Sequence, residues 1–186
     1  GGAQWQVAGA VAEMVSNKRW AELIEEIYVE PCGLETLAYN NHFAQPVSTG
    51  GPFGYPAGFG GDPANLQATD NPNMEGGAYI SPTDYSKLLL MHLRGGECDG
   101  GRVLSEESVE RMHTDRVVST YDGQIGVGNA DTAPEESEAD PGASAEFRYG
   151  GYGLGWWVGD ADGDIIEDAG AYGAVPWIDL GRGYGA

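Results

Sequence analysis

The densest group of side chains that could do chemistry is a run of carboxylates at Asp160, Asp162 and Asp164, within the sequence DADGD. Alternate acidic residues supply the oxygen ligands of a calcium loop, which also needs glycine at its sixth position and glutamate at its twelfth. Those positions hold Ile165 and Ala171 here. An Asp-Gly pair between two apolar runs is instead typical of a tight hairpin turn. We therefore interpret DADGD as a turn without a metal.

Histidine and cysteine, the usual ligands of transition metals, are too scattered to form a short metal motif. His42, His92 and His113 lie far apart, and Cys32 and Cys98 lack the repeated spacing of a zinc site. We predict surface or capping roles for His92, within a helix, and for His113, near a helix end. The cysteines stand in turn-like sequences, and we expect two unpaired thiols. The sequence thus predicts no metal and no other cofactor.

Motifs for phosphate binding and nucleophilic catalysis are absent from the sequence. It contains no G-x-G-x-x-G, no G-x-x-x-x-G-K-[ST], no G-x-S-x-G and no S-x-x-K. The chain therefore carries no recognisable nucleophile motif of its own.

Acidic residues dominate the composition: 29 Asp and Glu stand against 9 Lys and Arg, a formal net charge of -20. A basic patch for nucleic acid or anionic lipid is missing, which argues against both partners. The apolar runs are far shorter than the roughly 20 residues of a membrane helix, so we predict no membrane insertion. A hydrophobic content of 41% fits one globular domain or part of one. The bacterial cytoplasm, the periplasm and secretion are all compatible with this composition.

Four stretches have helical signals. Apolar residues follow helical spacing from Trp5 to Val15 and again from Trp20 to Ile27, before Pro31. A third helix is predicted to begin with Ser81 as N-cap and Pro82 at its first position, and to end at Gly95-Gly96. A fourth, shorter helix is predicted to begin at Ser105.

Loops and strands fill the rest of the chain. Residues 40 to 77 are rich in Gly, Pro and Asn and predict a long loop, while residues 129 to 147 predict an acidic surface loop. A period of two then predicts strands near 152 to 158 and 164 to 168, joined by a turn at Asp162-Gly163, and a third near 171 to 179.

Four segments follow one another along the chain: WAELIEEIYVEPCGLETL, NPNMEGGAYISPTDYSKLLLMHLRGG, GGRVLSEESVERMHTDRV and YGLGWWVG. Their order resembles the serine β-lactamase and penicillin-binding-protein superfamily, specifically its class C-like esterases and peptidases. The resemblance covers nearly the whole chain. It implies an α/β (α+β) fold with an antiparallel sheet flanked by helices, with residues 1 to 186 forming part of a single hydrolase domain.

The same resemblance implies a serine hydrolase that works through an acyl-enzyme on ester, amide or peptide-like small molecules. Its nucleophilic Ser-x-x-Lys would lie upstream of this chain. If residues 2 to 13 form the helix after the family's Tyr-x-Asn motif, Trp5, Gly9 and Glu13 take that helix's usual Tyr, Gly and Glu positions. The catalytic Tyr would then precede Gly1, with Gly2 in the Asn position.

The family's third motif, Lys/His-Thr/Ser-Gly on an edge strand, corresponds to Asp168-Ala169-Gly170. The resemblance implies that the backbone N–H of Ala171 helps to form the oxyanion hole. It also implies substrate-binding positions at Asp168, Ala169, Gly170 and Tyr172. A further strand and a C-terminal helix would be missing after residue 186, so we expect an internal piece of a larger domain. A non-catalytic homologue with a binding or structural role is the alternative.

Overall fold

The computed structural model describes residues 2–41, 69–116, 149–159, 164–170 and 173–186. The chain divides into two compact units. The N-terminal unit comprises Gly1–Met91 and Glu97–Val103, and the C-terminal unit comprises His92–Gly96 and Leu104–Ala186. Helices and antiparallel strands together confirm the predicted mixed α/β class. No helix within these ranges has the length and apolar character needed to cross a bilayer.

Helix α1 spans Gly2–Ser16, where helical periodicity predicts it. Its apolar residues remain largely exposed, at 82% for Met14 and 83% for Val15. The buried position on the helix is Gly9, where an added Cβ would collide with the side chain of Met74. A small residue therefore sets how closely α1 packs within the N-terminal unit.

The second helical region is a composite of α2 (Trp20–Ile24), a π-helical segment (Glu25–Val29) and α3 (Glu30–Cys32). The sequence places its end before Pro31, but α3 includes this proline and ends at Cys32. Pro31 has no N–H to donate, and it lies just after the point where the π-helical segment ends and α3 begins. Gly33 then ends the helix in the left-handed conformation, with φ of 59°.

Helix α4 spans Pro82–Leu93 and begins at the predicted cap, where the Ser81 hydroxyl accepts a hydrogen bond from the Asp84 N–H at 3.2 Å. The Asp84 carboxylate is buried and accepts hydrogen bonds from the backbone N–H groups of Glu35, at 2.7 Å, and Thr36, at 2.8 Å. Lys87 Nζ donates another at 2.8 Å. Burial alone would raise the pKa of Asp84, but these hydrogen bonds hold it well below its usual range. Asp84 thus ties the turn before β1 to α4.

Strand β1 (Ala38–Tyr39) pairs with β2 (Ala78–Tyr79) in an antiparallel arrangement. Residues 40–41 and 69–77 between them contain no helix or strand, in agreement with the predicted loop, and residues 42–68 lie outside the described part. The predicted acidic loop at 129–147 also lies outside it.

The hairpin of β3 (Glu97–Cys98) and β4 (Gly101–Arg102) brings the two cysteines together. Gly100 in its turn donates a hydrogen bond to the Pro31 carbonyl at 2.9 Å, which places Cys98 beside Cys32. The two form a disulfide across 66 residues of sequence. The expectation of two unpaired thiols is therefore wrong, because turn-like flanking sequence says nothing about which segments meet in the fold.

In the C-terminal unit, helix α5 spans Glu106–His113, and the Ser105 hydroxyl accepts the hydrogen bond of an N-cap from Ser108. His113 Nε2 lies 3.1 Å from His92 Nδ1. Both imidazoles pack against Trp156, with ring centroids 5.1 Å and 6.2 Å from the indole. The predicted surface and capping roles of the two histidines are wrong: they form a half-buried pair against Trp156.

The sheet of the C-terminal unit is an antiparallel meander of five described strands in chain order: β5 (Tyr149–Tyr152), β6 (Trp157–Gly159), β7 (Ile165–Glu167), β8 (Trp177–Asp179) and β9 (Tyr184–Gly185). Val158, Ile166 and Ile178 are directly paired across the three central strands and are buried on one face. This row is the core that holds β7 in register.

Three strand predictions need correction. The strand predicted at 152 to 158 is divided, because Gly153 donates a backbone hydrogen bond to the Trp156 carbonyl at 2.8 Å and closes a turn. Of the described residues in the strand predicted at 171 to 179, which are 173 to 179, strand is formed at Trp177–Asp179. The strand at Tyr184–Gly185 was not predicted. The predicted turn at Asp162-Gly163 lies outside the described residues, although β6 and β7 do pair antiparallel.

Candidate functional site

The segment Asp168-Ala169-Gly170 lies between β7 and β8, outside either strand. Asp168 donates its N–H to the Pro176 carbonyl at 3.1 Å, and Gly170 donates its N–H to the Ala174 carbonyl at 2.7 Å. These bonds extend the β7–β8 hairpin beyond the regular strands. The expected edge-strand position is therefore wrong: β7 pairs with β6 on one side and with β8 on the other.

The other two predicted site residues follow Gly170 in the sequence. Ala171 and Tyr172 lie outside the described residues. On either side of them, Gly173 donates its N–H to the Gly170 carbonyl at 3.0 Å and has a positive φ of 87°.

Asp168 lies at this turn, and the residue is exposed although its carboxylate is partly shielded from solvent. Partial burial raises its pKa, and the neighbouring carboxylate of Glu167 raises it further. Ala169 and Gly170 beside it are also exposed. The segment therefore presents negative charge and two small residues to solvent.

Tyr152, on β5, is a polar aromatic residue of this region that the sequence analysis missed. Burial raises the pKa of its hydroxyl, and the negative charge of Asp168 raises it further, so the two side chains share one electrostatic environment. Its backbone N–H donates to the Asp115 carboxylate at 3.3 Å, and its ring packs on Trp157 at 4.8 Å between centroids. The only sequence signal was a tyrosine among the glycines of YGGYG.

The residues matched to the helix after Tyr-x-Asn lie in the N-terminal unit and have structural roles. Gly9 packs against Met74, and Glu13 Oε1 accepts a hydrogen bond from the Trp20 N–H at 2.6 Å, at the start of α2. Trp5, by contrast, is 42% exposed. Within the described ranges, no three His, Cys, Asp or Glu side chains converge as metal ligands.

Comparison with known proteins places this geometry among β-lactamase-like structures. A solved structure from Bacteroides dorei, described as a "putative beta-lactamase", has a TM-score of 0.59 and 29% sequence identity. The similarity covers 97% of this chain and 46% of that one. The chain has a β-lactamase-like fold.

Two curated proteins of Mycobacterium tuberculosis, "Uncharacterized protein MT1414" and "Protein Rv1367c", are each 34% identical to the chain over 110 residues. The match covers 50% of this chain and 27% of each relative, so the chain spans about a quarter of the length of the curated relatives it matches. No protein-family model matches the chain.

Proposed function

We propose that the protein containing this chain is a serine hydrolase of the class C β-lactamase-like branch, acting through an acyl-enzyme on ester, amide or peptide-like small molecules. The observation that carries the proposal is the β-lactamase-like fold, shared over 97% of the chain with a protein described as a putative β-lactamase. The chain would supply the middle and most of the far end of the catalytic domain, and the nucleophile would lie in sequence outside it.

In this mechanism an upstream serine, activated by lysine and tyrosine, attacks the carbonyl carbon and expels the leaving group, and water then hydrolyses the acyl-enzyme. The hairpin extension after β7 would present backbone to the substrate. Ala171 would donate its N–H to the developing oxyanion, a role that requires no particular side chain. Asp168, Ala169, Gly170 and Tyr172 would contact the substrate.

Asp168 supports a preference for neutral or cationic substrates. A carboxylate group of a substrate about 4 Å from Asp168 would be repelled by roughly 4 kcal/mol at an effective dielectric constant near 20. Even half of that repulsion would weaken binding more than tenfold. We therefore infer poor turnover of anionic β-lactams and better turnover of neutral esters.

The test uses the full-length protein and two chromogenic substrates, neutral p-nitrophenyl butyrate and an anionic cephalosporin. We expect kcat/KM to be higher for the ester than for the cephalosporin. Asp168→Asn should lower the ratio of these two kcat/KM values more than tenfold. Asp164→Asn is a matched control, because it removes the same charge at the opposite end of β7, roughly 13 Å away along the strand. A parent enzyme that prefers the cephalosporin, or equal effects of the two substitutions, would refute the role of Asp168.

The alternative is a non-catalytic homologue with a binding or structural role. It is favoured by Asp168 and Gly2, which stand where the family has a cation or polar residue and an Asn. Covalent labelling by a fluorophosphonate probe separates the alternatives: a serine adduct in the full-length protein supports the hydrolase, and an unlabelled but folded protein supports the binding role.

The disulfide between Cys32 and Cys98 supports a place for the protein outside the cytoplasm. Disulfides persist in the periplasm and in secreted proteins, and cytosolic reductants remove most of them. Of the locations compatible with the composition, we propose the periplasm or secretion. Non-reducing thiol labelling of the protein in intact cells and in lysates tests this.

A further inference from the structure

The histidine pair of the C-terminal unit brings two metal-binding side chains within reach of a single ion. His92 Nδ1 and His113 Nε2 lie 3.1 Å apart, and both residues belong to that unit. Neutral imidazole is the commonest metal ligand among side chains and suits zinc, copper and nickel. The proposed hydrolase activity makes no use of either side chain.

The separation of the two nitrogens is close to the one that a tetrahedral ion requires. A zinc–imidazole bond is about 2.0 to 2.1 Å long, so two nitrogens on one tetrahedral zinc ion are about 3.3 Å apart. The observed 3.1 Å is about 0.2 Å short of this value. A small outward rotation of the two rings would therefore let both lone pairs meet on one ion.

The surroundings of the pair combine a rigid support with access to solvent. Each imidazole meets the Trp156 indole edge to face, with planes at 83° for His92 and 89° for His113. Both histidines are nevertheless only half-buried. Two protein ligands leave the other two positions of a tetrahedral zinc ion to water, and this exposure allows water to take them.

The position of the pair at two helix ends favours a cation. His92 lies in the last turn of α4, and His113 is the last residue of α5. The C-terminal end of a helix carries partial negative charge on its unsatisfied carbonyl groups, so two such ends meet at the pair.

The basic residues nearest in sequence do not oppose a cation at the pair. Arg111 is exposed and lies two positions before His113, a spacing at which side chains of a helix do not face one another. Arg94, which follows the last residue of α4, is also exposed. Both charges therefore lie in solvent, which screens them.

Zinc binding requires that both facing nitrogens be unprotonated. In the hydrogen bond, one of the two carries the proton. A neutral imidazole holds its single proton on either ring nitrogen, so the donor ring carries it on the outer nitrogen instead, Nδ1 of His113 or Nε2 of His92. The ion then replaces the shared proton, and the pair as a whole loses none.

We propose that His92 and His113 form a zinc site in which two imidazole nitrogens and two water molecules bind the ion. The ion joins the ends of α4 and α5. It stabilises the folded protein, because the unfolded chain does not hold the two rings side by side.

The test is calorimetric titration of the EDTA-treated, full-length protein with zinc chloride at pH 7.5. His92→Gln and His113→Gln should each weaken zinc binding by about tenfold or more, since even the loss of a group that only supports a ligand costs about 10- to 100-fold. His42→Gln is the matched control and should bind zinc like the parent. Zinc should raise the urea midpoint of the parent and of His42→Gln, and leave the midpoints of the other two variants unchanged.

His113→Cys separates direct binding of the ion from a structural role. A thiolate is also a zinc ligand, so this variant should bind zinc more tightly than His113→Gln does. Cobalt(II), bound in place of zinc, should give a thiolate-to-metal charge-transfer band that the parent lacks. The band reports contact between residue 113 and the ion, so it remains decisive if a Gln variant fails to fold, and His92→Cys provides the same measurement at the other ligand.

Three results would overturn the proposal. The first is a parent protein that binds no zinc. The second is zinc binding that is equally strong in the parent, His92→Gln and His113→Gln, or that His42→Gln weakens as much as His113→Gln does. The third is a folded His113→Cys protein whose bound cobalt shows no charge-transfer band.

Discussion

The half-buried pair of His92 and His113 makes the stability of the protein sensitive to mild acid. Their ring nitrogens are 3.1 Å apart, so one nitrogen must be unprotonated to accept the proton of the other. Burial lowers the pKa of His92 to about 4, with a smaller contribution from the charge of His113. Burial also lowers the pKa of His113 to about 4. The folded protein therefore favours neutral imidazoles.

The size of the effect follows from the difference between the folded and unfolded pKa values. An unfolded histidine titrates near 6.5, so the pair contributes its full stability above that pH and loses it as the pH falls through about 4. At pH 5 His92 would lower the unfolding free energy by about 2 kcal/mol relative to neutral pH, and the more exposed His113 by less because solvent screens its charge, which gives about 2 to 3 kcal/mol for the coupled pair. That is a large part of a typical unfolding free energy of about 5 to 15 kcal/mol.

The measurement is urea unfolding of the parent and of His92→Gln/His113→Gln at pH 7.5 and pH 5.0. The parent should lose about 2 to 3 kcal/mol more of its unfolding free energy than the double variant over this interval. Asp84 does not interfere, because its pKa lies well below the usual range and its contribution is lost only at lower pH. The general effect of acid on a chain of net charge -20 is common to both proteins and cancels.

The third histidine of the chain provides the matched control. His42→Gln should follow the parent at both pH values. Parallel losses in the parent and in His92→Gln/His113→Gln would show that the pair is not buried in its neutral form, and would refute the reasoning.

Three other outcomes are expected. Reduction of the Cys32–Cys98 disulfide, which closes a loop across 66 residues, should lower the unfolding free energy by about 4 kcal/mol, and Cys32→Ser/Cys98→Ser should show the same loss with no further effect of reductant. Asp84→Asn should lower the free energy of unfolding, measured by chemical denaturation, by about 2 to 4 kcal/mol, because an amide cannot accept all the hydrogen bonds that the buried carboxylate does. A decrease below about 0.5 kcal/mol would contradict this. Deletion of residues 129 to 147, which lie outside the described residues, should change the melting temperature little, since their composition offers little apolar surface to bury.

Helix starts were predictable from sequence because their causes are local. The caps at Ser81 and Ser105 depend on a side chain and an N–H three residues later, and both helices begin where these serines predict. Strand lengths were less predictable, because Gly153 closes a turn inside an otherwise alternating run. Periodicity alone cannot distinguish this turn from a continuing strand.

The features that sequence analysis missed join segments far apart in the chain. The disulfide depends on a hairpin turn that contacts Pro31, and the histidine pair depends on α4 and α5 meeting at Trp156. Helical spacing also failed to identify the buried face of α1, since packing there depends on Gly9 fitting against Met74. These contacts become visible only once the fold is known.

Asp168 allows specificity to be tested separately from folding. The hairpin extension that contains it is held by backbone hydrogen bonds, from Asp168 N–H to Pro176 and from Gly170 N–H to Ala174, which persist whatever side chain stands at position 168. Asp168 itself is exposed, and exposed substitutions usually change stability by less than about 0.5 kcal/mol. Asp168→Asn should therefore unfold at the parent's urea concentration, so that any change in substrate preference reflects charge at the site. A marked loss of stability in this variant would mean that the carboxylate supports the hairpin, and the substrate-charge interpretation would lose its basis.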